Sequence, residues 1–263
     1  MTDDVDLVEA KARGFETVVR HPWEQARLAL VHRLIRRHVK LQPGDVVFDI
    51  GCGDTFVAEQ LARHYPTVHF NAVDSNFTGE LLDAFRARLT VQNLSLYASL
   101  DSVPVAKPAA LVLLMDVIEH VPDDEAFVRG ICRHAFVGSD TRLLITVPSF
   151  QSLFCSHDRF LGHYRRYSGT TLRELFRRAQ LRCEERGYLF TSLLPVRVLQ
   201  VLRERVAGSS DAPTDLATWG GGPAKARTLA AMLTLDGRMS LALARIGIRI
   251  PGLSNFAVCR KSA

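Results

Sequence analysis

An acid followed by two closely spaced glycines is the pattern in this chain that most directly suggests ligand chemistry. Asp49 lies near the end of the apolar run 46–50, and Gly51 and Gly53 precede a helix-like segment, 56–64. This order is typical of a buried parallel strand, a tight turn and a helix N-terminus. Glycines in the turn let a ligand lie against the backbone, and the helix start offers unpaired N–H groups. The pattern predicts a site for a nucleotide-like cofactor.

The neighbouring residues discriminate among cofactors. A dinucleotide site requires a third glycine where this chain has Phe56, and a P-loop requires a Gly-Lys-Ser/Thr sequence that does not follow here. Asp49 would repel a pyrophosphate, but it suits a ligand that carries an ammonium and a sulfonium. S-adenosylmethionine (SAM) is such a ligand, and we predict it as the cofactor.

The same residues resemble motif I of the class I SAM-dependent methyltransferases, whose pattern is acid-x-Gly-x-Gly-x-Gly. Asp49, Gly51 and Gly53 match it, and Thr55 stands at the last glycine position. Asp74 ends the next predicted strand, where an acid can accept hydrogen bonds from both ribose hydroxyls. The resemblance implies further cofactor contacts at strand ends, with two of them beside the adenine (Ser99 and Leu100) and the others at Cys52, Ser75, Met115 and Asp116.

A second stretch, 116–123, is similar to the acid-x-x-Glu-His segment of the ubiquinone-biosynthesis O-methyltransferases. On a helical turn, Asp116, Glu119 and His120 would share one face. They could bind Mg²⁺ or another divalent ion, or His120 could act as a general base toward a hydroxyl. In the structural alternative, Glu119 and His120 cap the next helix or pair with arginines. We favour that alternative over a metal site, and we predict His120 as a catalytic residue near the methyl-transfer site.

A third stretch, 157–167, follows the fifth predicted strand and is rich in histidine, tyrosine and arginine. Together with residues 21–24, it resembles a bacterial subgroup of these methyltransferases that is found beside glycan, lipid or polyketide pathways. In the functional reading it is an acceptor-site lid, with His157 or His163 as the base and Arg165 or Arg166 binding anionic groups. In the structural reading, ion pairs and tyrosines only fix the loop. The sequence leaves both readings open.

Strands that alternate with helices predict an α/β fold. We expect a Rossmann-like, seven-stranded, mostly parallel sheet with helices on both faces and a helical cap before the last strand. The predicted strands are 46–50, 68–74, 94–97, 110–115, 143–147, 183–190 and 256–260. The helices of the core are 22–40, 56–64, 79–89, 123–135 and 171–179. We expect Asp123 to be the N-cap of 123–135 and a capping box of Thr171 with Glu174 to open 171–179.

Three regions follow from these elements. Residues 1–40 form an N-terminal helical segment, 41–191 with 254–263 form the SAM-binding core, and 192–253 form the cap. The cap holds two predicted helices, 193–206 and 224–246, around a loop at 209–223. It could cover the acceptor pocket, or it could rest on anionic lipid with its arginines. We favour the cover, because methyl transfer requires a dry site.

Composition narrows the class of protein. The five cysteines are scattered, and we see neither a signal peptide nor an apolar run near the ~18 residues of a membrane span. We therefore expect a cytoplasmic protein, with peripheral contact at the inner face of the membrane as an option. Residues 1–150 carry a net charge of −5 (15 basic, 20 acidic) and residues 151–263 carry +10 (18 basic, 8 acidic). The basic half suggests an anionic or membrane-associated small-molecule acceptor, or it is only a solvated surface.

The predicted activity is O-methylation of a small-molecule or lipid- or carrier-linked hydroxyl by in-line methyl transfer from SAM. The chain has no Asn/Asp-Pro-Pro-Tyr/Phe sequence, which argues against an amino-directed nucleic-acid methyltransferase of the usual kind, so we expect no nucleic-acid partner. The alternatives are C- or N-methylation of a similar acceptor, or a SAM-binding subunit without catalysis. The histidines at 120, 157 and 163 favour an enzyme.

Overall fold

The computed structural model describes residues 20–207 and 221–262. Its strands form one sheet in the order β3-β2-β1-β4-β5-β7-β6. Strand β7 is antiparallel to both of its neighbours, and the other neighbouring pairs are parallel. The bounds are β1 (Val46–Ile50), β2 (His69–Val73), β3 (Leu94–Tyr97), β4 (Leu111–Met115), β5 (Arg142–Pro148), β6 (Leu181–Leu189) and β7 (Ser254–Lys261).

Helices cover both faces of the sheet. Their bounds are α1 (Pro22–His38), α2 (Phe56–His64), α3 (Gly79–Arg88), α4 (Asp124–Arg133), α5 (Ser156–Phe160), α6 (Gly169–Arg178), α7 (Leu194–Ala207) and α8 (Pro223–Arg245). Apolar residues of α1, α2, α3 and α8 form the core on one face, and those of α4 and α6 form the core on the other. This architecture confirms the predicted fold class.

Two local predictions about helix starts have different outcomes. Asp123 caps α4 as predicted, because its carboxylate accepts a hydrogen bond from the Ala126 amide at 2.8 Å. The predicted capping box of Thr171 with Glu174 is wrong. Helix α6 begins two residues earlier, at Gly169, and Ser168 is its cap, with its hydroxyl bonded to the Thr171 amide at 3.1 Å. Ser168 is itself a strong cap residue, so the first possible cap takes the role.

The region predicted as a cap divides between two places. Helix α8 packs on α1 and β6, where Gly237 lets α1 approach so closely that a Cβ there would lie 2.2 Å from a methyl of Leu30. Helix α7 instead lies on the loop that follows β5, and its Val201 is buried against Leu153. Most of the predicted loop 209–223, and the first nineteen residues of the N-terminal segment, lie outside the described residues.

The sheet order determines where a ligand can bind. Strands β2 and β3 lie on one side of β1, and the chain then crosses to β4 on its other side. The chain leaves β1 toward β2 on one side and leaves β4 toward β5 on the other. Because these two connections diverge, a crevice opens at the carboxyl ends of β1 and β4. The acid-Gly-x-Gly turn follows β1 and the stretch 116–123 follows β4, so both predicted sites lie at this edge.

Candidate functional site

The turn after β1 has the conformation that the glycine pattern predicted. Gly51 and Gly53 have left-handed backbones, with φ of 69° and 55°. Thr55, at the last position of the motif, is also left-handed at φ 69° and is fully buried. A β-branched residue rarely adopts this conformation. The turn therefore keeps the shape of an all-glycine loop even where the sequence departs from it.

Asp49 is buried at this edge of the sheet. Its side chain is 1% exposed, and neither carboxylate oxygen has a hydrogen-bond partner among the described residues. Burial raises the pKa of Asp49 to about 7, against the opposing effect of the nearby Arg27. A buried carboxylate in this state is costly unless a ligand satisfies it. A ligand with a cationic group would do so, which fits the ammonium and sulfonium of SAM.

Asp74 braces the turn from the adjacent strand. Its carboxylate accepts hydrogen bonds from the Gly53 amide and the Asn76 amide, both at 2.9 Å. Burial raises its pKa, and these two bonds oppose the rise. Each carboxylate oxygen can accept a second bond, so the predicted contact with ribose hydroxyls is compatible with this geometry and stays a prediction. Ser75 is exposed beside it.

The remaining predicted cofactor contacts follow β1, β3 and β4. The Cys52 thiol is kept neutral, because burial and three neighbouring aspartates raise its pKa. Ser99 and Leu100 begin a short turn just after β3. Met115 ends β4 and is buried, and Asp116 follows it with a left-handed φ of 56°. These positions place the predicted contacts at the same edge of the sheet, and their roles stay predictions.

Helix α1 adds a residue that the sequence analysis missed. Its start is a capping box of His21 with Glu24, in which the His21 ring accepts a bond from the Trp23 amide at 3.1 Å. One turn later, Arg27 stacks on the Trp23 ring at 4.4 Å and forms an ion pair with Asp116. The stretch 21–24 was visible as a motif, but only the packing of α1 shows that it places a guanidinium between Asp49 and Asp116.

The loop between β5 and α6 is fastened to the stretch that follows β4. The Tyr164 amide donates to the Glu119 carbonyl at 2.8 Å, and the Tyr167 hydroxyl bonds the Asp124 carboxylate at 2.7 Å. Arg165 pairs with Asp124 at 3.1 Å and donates to the Pro122 carbonyl at 2.5 Å. These contacts hold the two stretches side by side.

Asp158 organises the interior of this loop. Its carboxylate is fully buried, and it accepts hydrogen bonds from Arg166 at 2.7 Å, from His163 Nδ1 at 3.0 Å and from the Cys155 amide at 2.9 Å. Burial alone would raise the pKa of Asp158, but these bonds lower it below its usual range. Because Asp158 is ionised, His163 Nδ1 donates the proton of this bond, and Nε2 is the ring nitrogen left for other contacts.

The loop brings His163 against the Glu119-His120 pair. The rings of His120 and His163 lie 4.6 Å apart, nearly perpendicular to each other. One donor atom from each of Glu119, His120 and His163 lies within 4.8 Å of the other two, and we call these three residues the acceptor cluster. Glu119 is fully buried, while His120 is exposed at the mouth of the cluster. His157, the third predicted base, lies instead near Arg197 of α7.

Burial and neighbouring charged groups shift the pKa values of Glu119 and His120. Burial and the neighbouring His163 lower the pKa of His120 to about 4, so its ring is neutral at pH 7. Burial, and after it the charge of Asp116, raise the pKa of Glu119. Neither Glu119 oxygen has a hydrogen-bond partner in the described part of the chain. Glu119 and His120 therefore do not follow the structural alternative, in which they would cap α4 or pair with arginines.

One prediction about this region is wrong and another stays a prediction. Asp116 does not share a helical face with Glu119 and His120, because its backbone is left-handed and its carboxylate pairs with Arg27, and His163 completes the cluster instead. Arg165 and Arg166 are both paired with carboxylates of the chain, and Arg166 is 5% exposed. These pairs favour the structural reading of the loop, and anion binding by either arginine stays a prediction.

Comparison with known proteins gives this geometry a context. A family model described as a methyltransferase domain matches residues 22–186. No curated protein matches the chain.

Several solved structures share the fold. The Haloferax volcanii protein solved in complex with the Trm112 methyltransferase activator is 19% identical, with a TM-score of 0.57 over 100% of this chain and 97% of its own. Coclaurine N-methyltransferase, bound to N-methylheliamine and S-adenosylhomocysteine, is 16% identical, with a TM-score of 0.53 over 89% and 70%. The cyclase SpnF is also 16% identical, with a TM-score of 0.54 over 94% and 85%. Likeness at this level shows the fold alone.

Proposed function

Because the chain belongs to the class I SAM-dependent methyltransferases, we propose that it transfers the methyl group of SAM to a hydroxyl of a small-molecule or lipid- or carrier-linked acceptor. The observation that carries this proposal is the acceptor cluster. It adjoins Asp116 at the carboxyl end of β4, at the same sheet edge as Asp49. A neutral imidazole beside the transferred methyl group suits an acceptor that must lose a proton.

In the proposed reaction, charged side chains and the glycine turn bind SAM. Asp49 provides the anion for the ammonium group of SAM, and Arg27 is placed to bind its carboxylate after exchanging its partner Asp116. Gly51 and Gly53 let the nucleoside lie against the backbone, and Asp74 holds the ribose. SAM supplies a methyl group on a sulfonium, which is already an excellent leaving group.

The chain's own contribution is then mainly positioning and proton removal. Holding the hydroxyl oxygen at near-attack distance from the methyl carbon converts the encounter into a unimolecular step. His120 is exposed at the mouth of the cluster and neutral, so it can accept the hydroxyl proton as the O–C bond forms and the C–S electrons return to sulfur. Asp158 orients His163 behind it. His157 has a place in the wall next to α7, where we expect a smaller effect on turnover.

A mass-spectrometric assay tests the activity. The chain is incubated with SAM and paired acceptors that differ only in a hydroxyl, an amine or an activated carbon. Methylated product and S-adenosylhomocysteine are expected in equal amounts from the hydroxyl acceptors. Product only from amines or carbons would establish N- or C-methylation instead, and SAM binding with no product from any acceptor would favour the non-catalytic subunit.

The acceptor is proposed to be anionic, because three arginines line a cleft of about 340 Å³ at the β6 end of the sheet. Arg173, Arg186 and Arg249 line it together with the start of α6, and none of the three lies within ion-pair distance of a carboxylate among the described residues. Burial and the charges of the other two arginines lower the pKa of Arg186. Three cations that repel each other beside a helix N-terminus favour a bound anion.

Inorganic phosphate and pyrophosphate serve as probes of this cleft. Arg186→Gln and Arg249→Gln are expected to weaken competitive inhibition by pyrophosphate and to raise KM for a phosphorylated acceptor, with Arg182→Gln as an exposed control. Equal inhibition of all variants would locate the anion elsewhere.

A membrane-associated acceptor is the second candidate, and the surface of α7 favours it. Its inner side is tied to the loop after β5 through Arg197 to Cys155 Sγ at 3.0 Å and Glu204 to the Ser156 hydroxyl at 2.8 Å. This contact supports the predicted cover over the acceptor site. Its outer side exposes an apolar stripe, flanked by two arginines, that comprises Val198, Leu199, Leu202 and Val206.

Vesicle flotation separates the two roles of α7. No described helix is both long and apolar enough to cross a membrane, so any lipid contact of these helices would be peripheral. Flotation with anionic vesicles that is lost in Leu199→Ser/Leu202→Ser and in high salt would support a lipid-linked acceptor. The absence of flotation, with turnover still sensitive to Arg197→Ala, would leave α7 as a cover only.

A further inference from the structure

We propose that Glu119, His120 and His163 form a binding site for one divalent transition-metal ion of the Zn²⁺ class. The proposal deepens the proposed function, on which it rests, because it assigns the same acceptor cluster a metal. It is carried by the geometry of the three side chains and by the buried carboxylate that they share.

The donor set is the first argument. Two imidazoles and one carboxylate, with further positions open to solvent, are the ligands of many catalytic zinc and non-haem iron sites. Imidazole nitrogen suits Zn²⁺, Fe²⁺ and Ni²⁺, whereas Mg²⁺ prefers an all-oxygen environment. With His163 in place of Asp116, the cluster has changed from a mostly oxygen set to a mostly nitrogen set, and the expected ion changes with it.

The second argument is the state of Glu119. The residue is fully buried, both carboxylate oxygens are without a hydrogen-bond partner in the described chain, and one of them points into the cluster. Buried carboxyl groups are normally satisfied, because an unpaired one is costly. A metal ion bound between Glu119 and the two imidazoles would provide the partner that the protein does not.

The third argument is the support behind His163. Asp158 accepts the Nδ1 proton of His163 at 3.0 Å, and Arg166 and the Cys155 amide hold Asp158 in turn. A carboxylate behind a histidine fixes the tautomer that presents Nε2 and raises its basicity, which is the usual support of a metal-binding histidine.

The distances allow binding with a small adjustment. The three donor atoms lie within 4.8 Å of one another. A Zn²⁺ ion about 2.1 Å from each nitrogen and oxygen requires them to be closer than about 4.2 Å. Closing this gap requires a small movement of the three side chains toward one another. With its lone pair on the ion, His120 would no longer serve as the base. A hydroxyl bound at an open position would instead lose its proton to solvent more readily, and its lone pair would form the O–C bond as the C–S electrons return to sulfur.

Metal binding by the full chain is tested directly, without activity. Protein stripped with EDTA is titrated with Zn²⁺ by calorimetry and with Co²⁺ by visible absorption, which reports nitrogen and oxygen ligands. One ion per chain and Co²⁺ d–d bands are expected. Glu119→Gln, which keeps the shape of the side chain, and His163→Ala should each weaken binding at least tenfold. His69→Ala, an exposed histidine at the start of β2, should leave it unchanged.

SAM affinity of the same stripped proteins serves as the measure of folding and separates the two proposals. Wild-type protein that binds SAM and methylates hydroxyls but takes up no Zn²⁺ or Co²⁺ would overturn the metal site and leave the proposed function standing. Metal uptake that Glu119→Gln and His163→Ala do not reduce would also overturn it. Stoichiometric binding at the cluster without methylation of any hydroxyl would support the metal and contradict the proposed function.

Discussion

The cofactor edge and the acceptor cluster lie beside each other, but the chain builds them in different ways. Asp49, Gly51 and Gly53 are near neighbours in sequence, and one strand and one turn position them. Glu119 and His163 are separated in sequence by α4, β5 and α5, and a loop brings them together through Asp158, Tyr167 and Arg165. A local pattern fixes the first site, whereas a network of buried contacts fixes the second. We therefore expect substitutions at the acceptor cluster to change turnover without changing SAM affinity, and substitutions at the cofactor edge to change SAM affinity.

The largest difference between the effect on turnover and the effect on SAM affinity is expected for His120→Ala. Whether His120 acts as a base or as a metal ligand, its loss should lower turnover by roughly 10²–10⁴-fold. SAM affinity should stay unchanged, because Asp49 and the glycine turn are untouched. Steady-state kinetics with calorimetry on the same sample measures both. Undiminished turnover would show that the cluster is not the reaction site.

Removal of Asp158 should destabilise the loop that carries His163, and with it the whole fold. Asp158→Ala leaves Arg166 buried without its partner, which should lower the free energy of unfolding by about 3–5 kcal/mol. Urea denaturation measures this change. Glu174→Ala removes a carboxylate that pairs with two exposed arginines, Arg177 and Arg178, and should change little. Equal effects of the two substitutions would contradict the network described for the loop.

Asp49→Asn should weaken SAM binding and, at the same time, stabilise the protein without ligand. SAM affinity should fall roughly 10- to 100-fold, since a charged hydrogen-bond partner is lost. Stability should rise, because ionised Asp49 is penalised in the folded state. The pKa of about 7 lies above the unfolded value, so the penalty is absent below about pH 4 and complete above about pH 7.

The gain of Asp49→Asn over the wild type should therefore grow by roughly 2 kcal/mol between pH 5 and pH 8. Chemical denaturation at the two pH values checks it. A gain independent of pH, or a loss of stability at pH 8, would mean that the buried carboxylate has a partner in the folded chain.

The smallest effect is expected at Thr55. Alanine retains the strained left-handed backbone, whereas glycine relieves it, and both remove the hydroxyl bond to Glu59 at 3.1 Å. Thr55→Gly should therefore be more stable than Thr55→Ala by about 1 kcal/mol. Thermal unfolding of the pair measures the difference. The reverse order would show that the turn is not strained at this position.

The sequence predicted the cofactor edge well because its signals are local. The strand pattern, the glycines and Asp49 lie within a few residues of one another. The predicted alternation of strands and helices also gave the fold class that the structure confirms. SAM as cofactor follows from the same residues and from the family. The start of α6 was misplaced because Ser168 and Thr171 are both good caps, and only the packing of the helix decides between them.

The acceptor cluster could not be predicted in the same way. Its composition depends on which loop residues reach the stretch after β4, and that depends on buried bonds such as Tyr167 to Asp124. The left-handed backbone of Asp116, which removes it from the cluster, has no sequence signal in a non-glycine residue. Arg27 was missed because only the packing of helix α1 brings it to this edge of the sheet.

The identity of the atom that receives the methyl group tests the central claim most directly. SAM labelled with carbon-13 in its methyl group is incubated with the chain and the preferred acceptor, and the product is examined by nuclear magnetic resonance. We expect the label in an O-methyl group, formed by the wild type and by His69→Ala but not at a measurable rate by His120→Ala. Label in an N- or C-methyl group, or an O-methyl product whose rate does not depend on His120, would contradict the account.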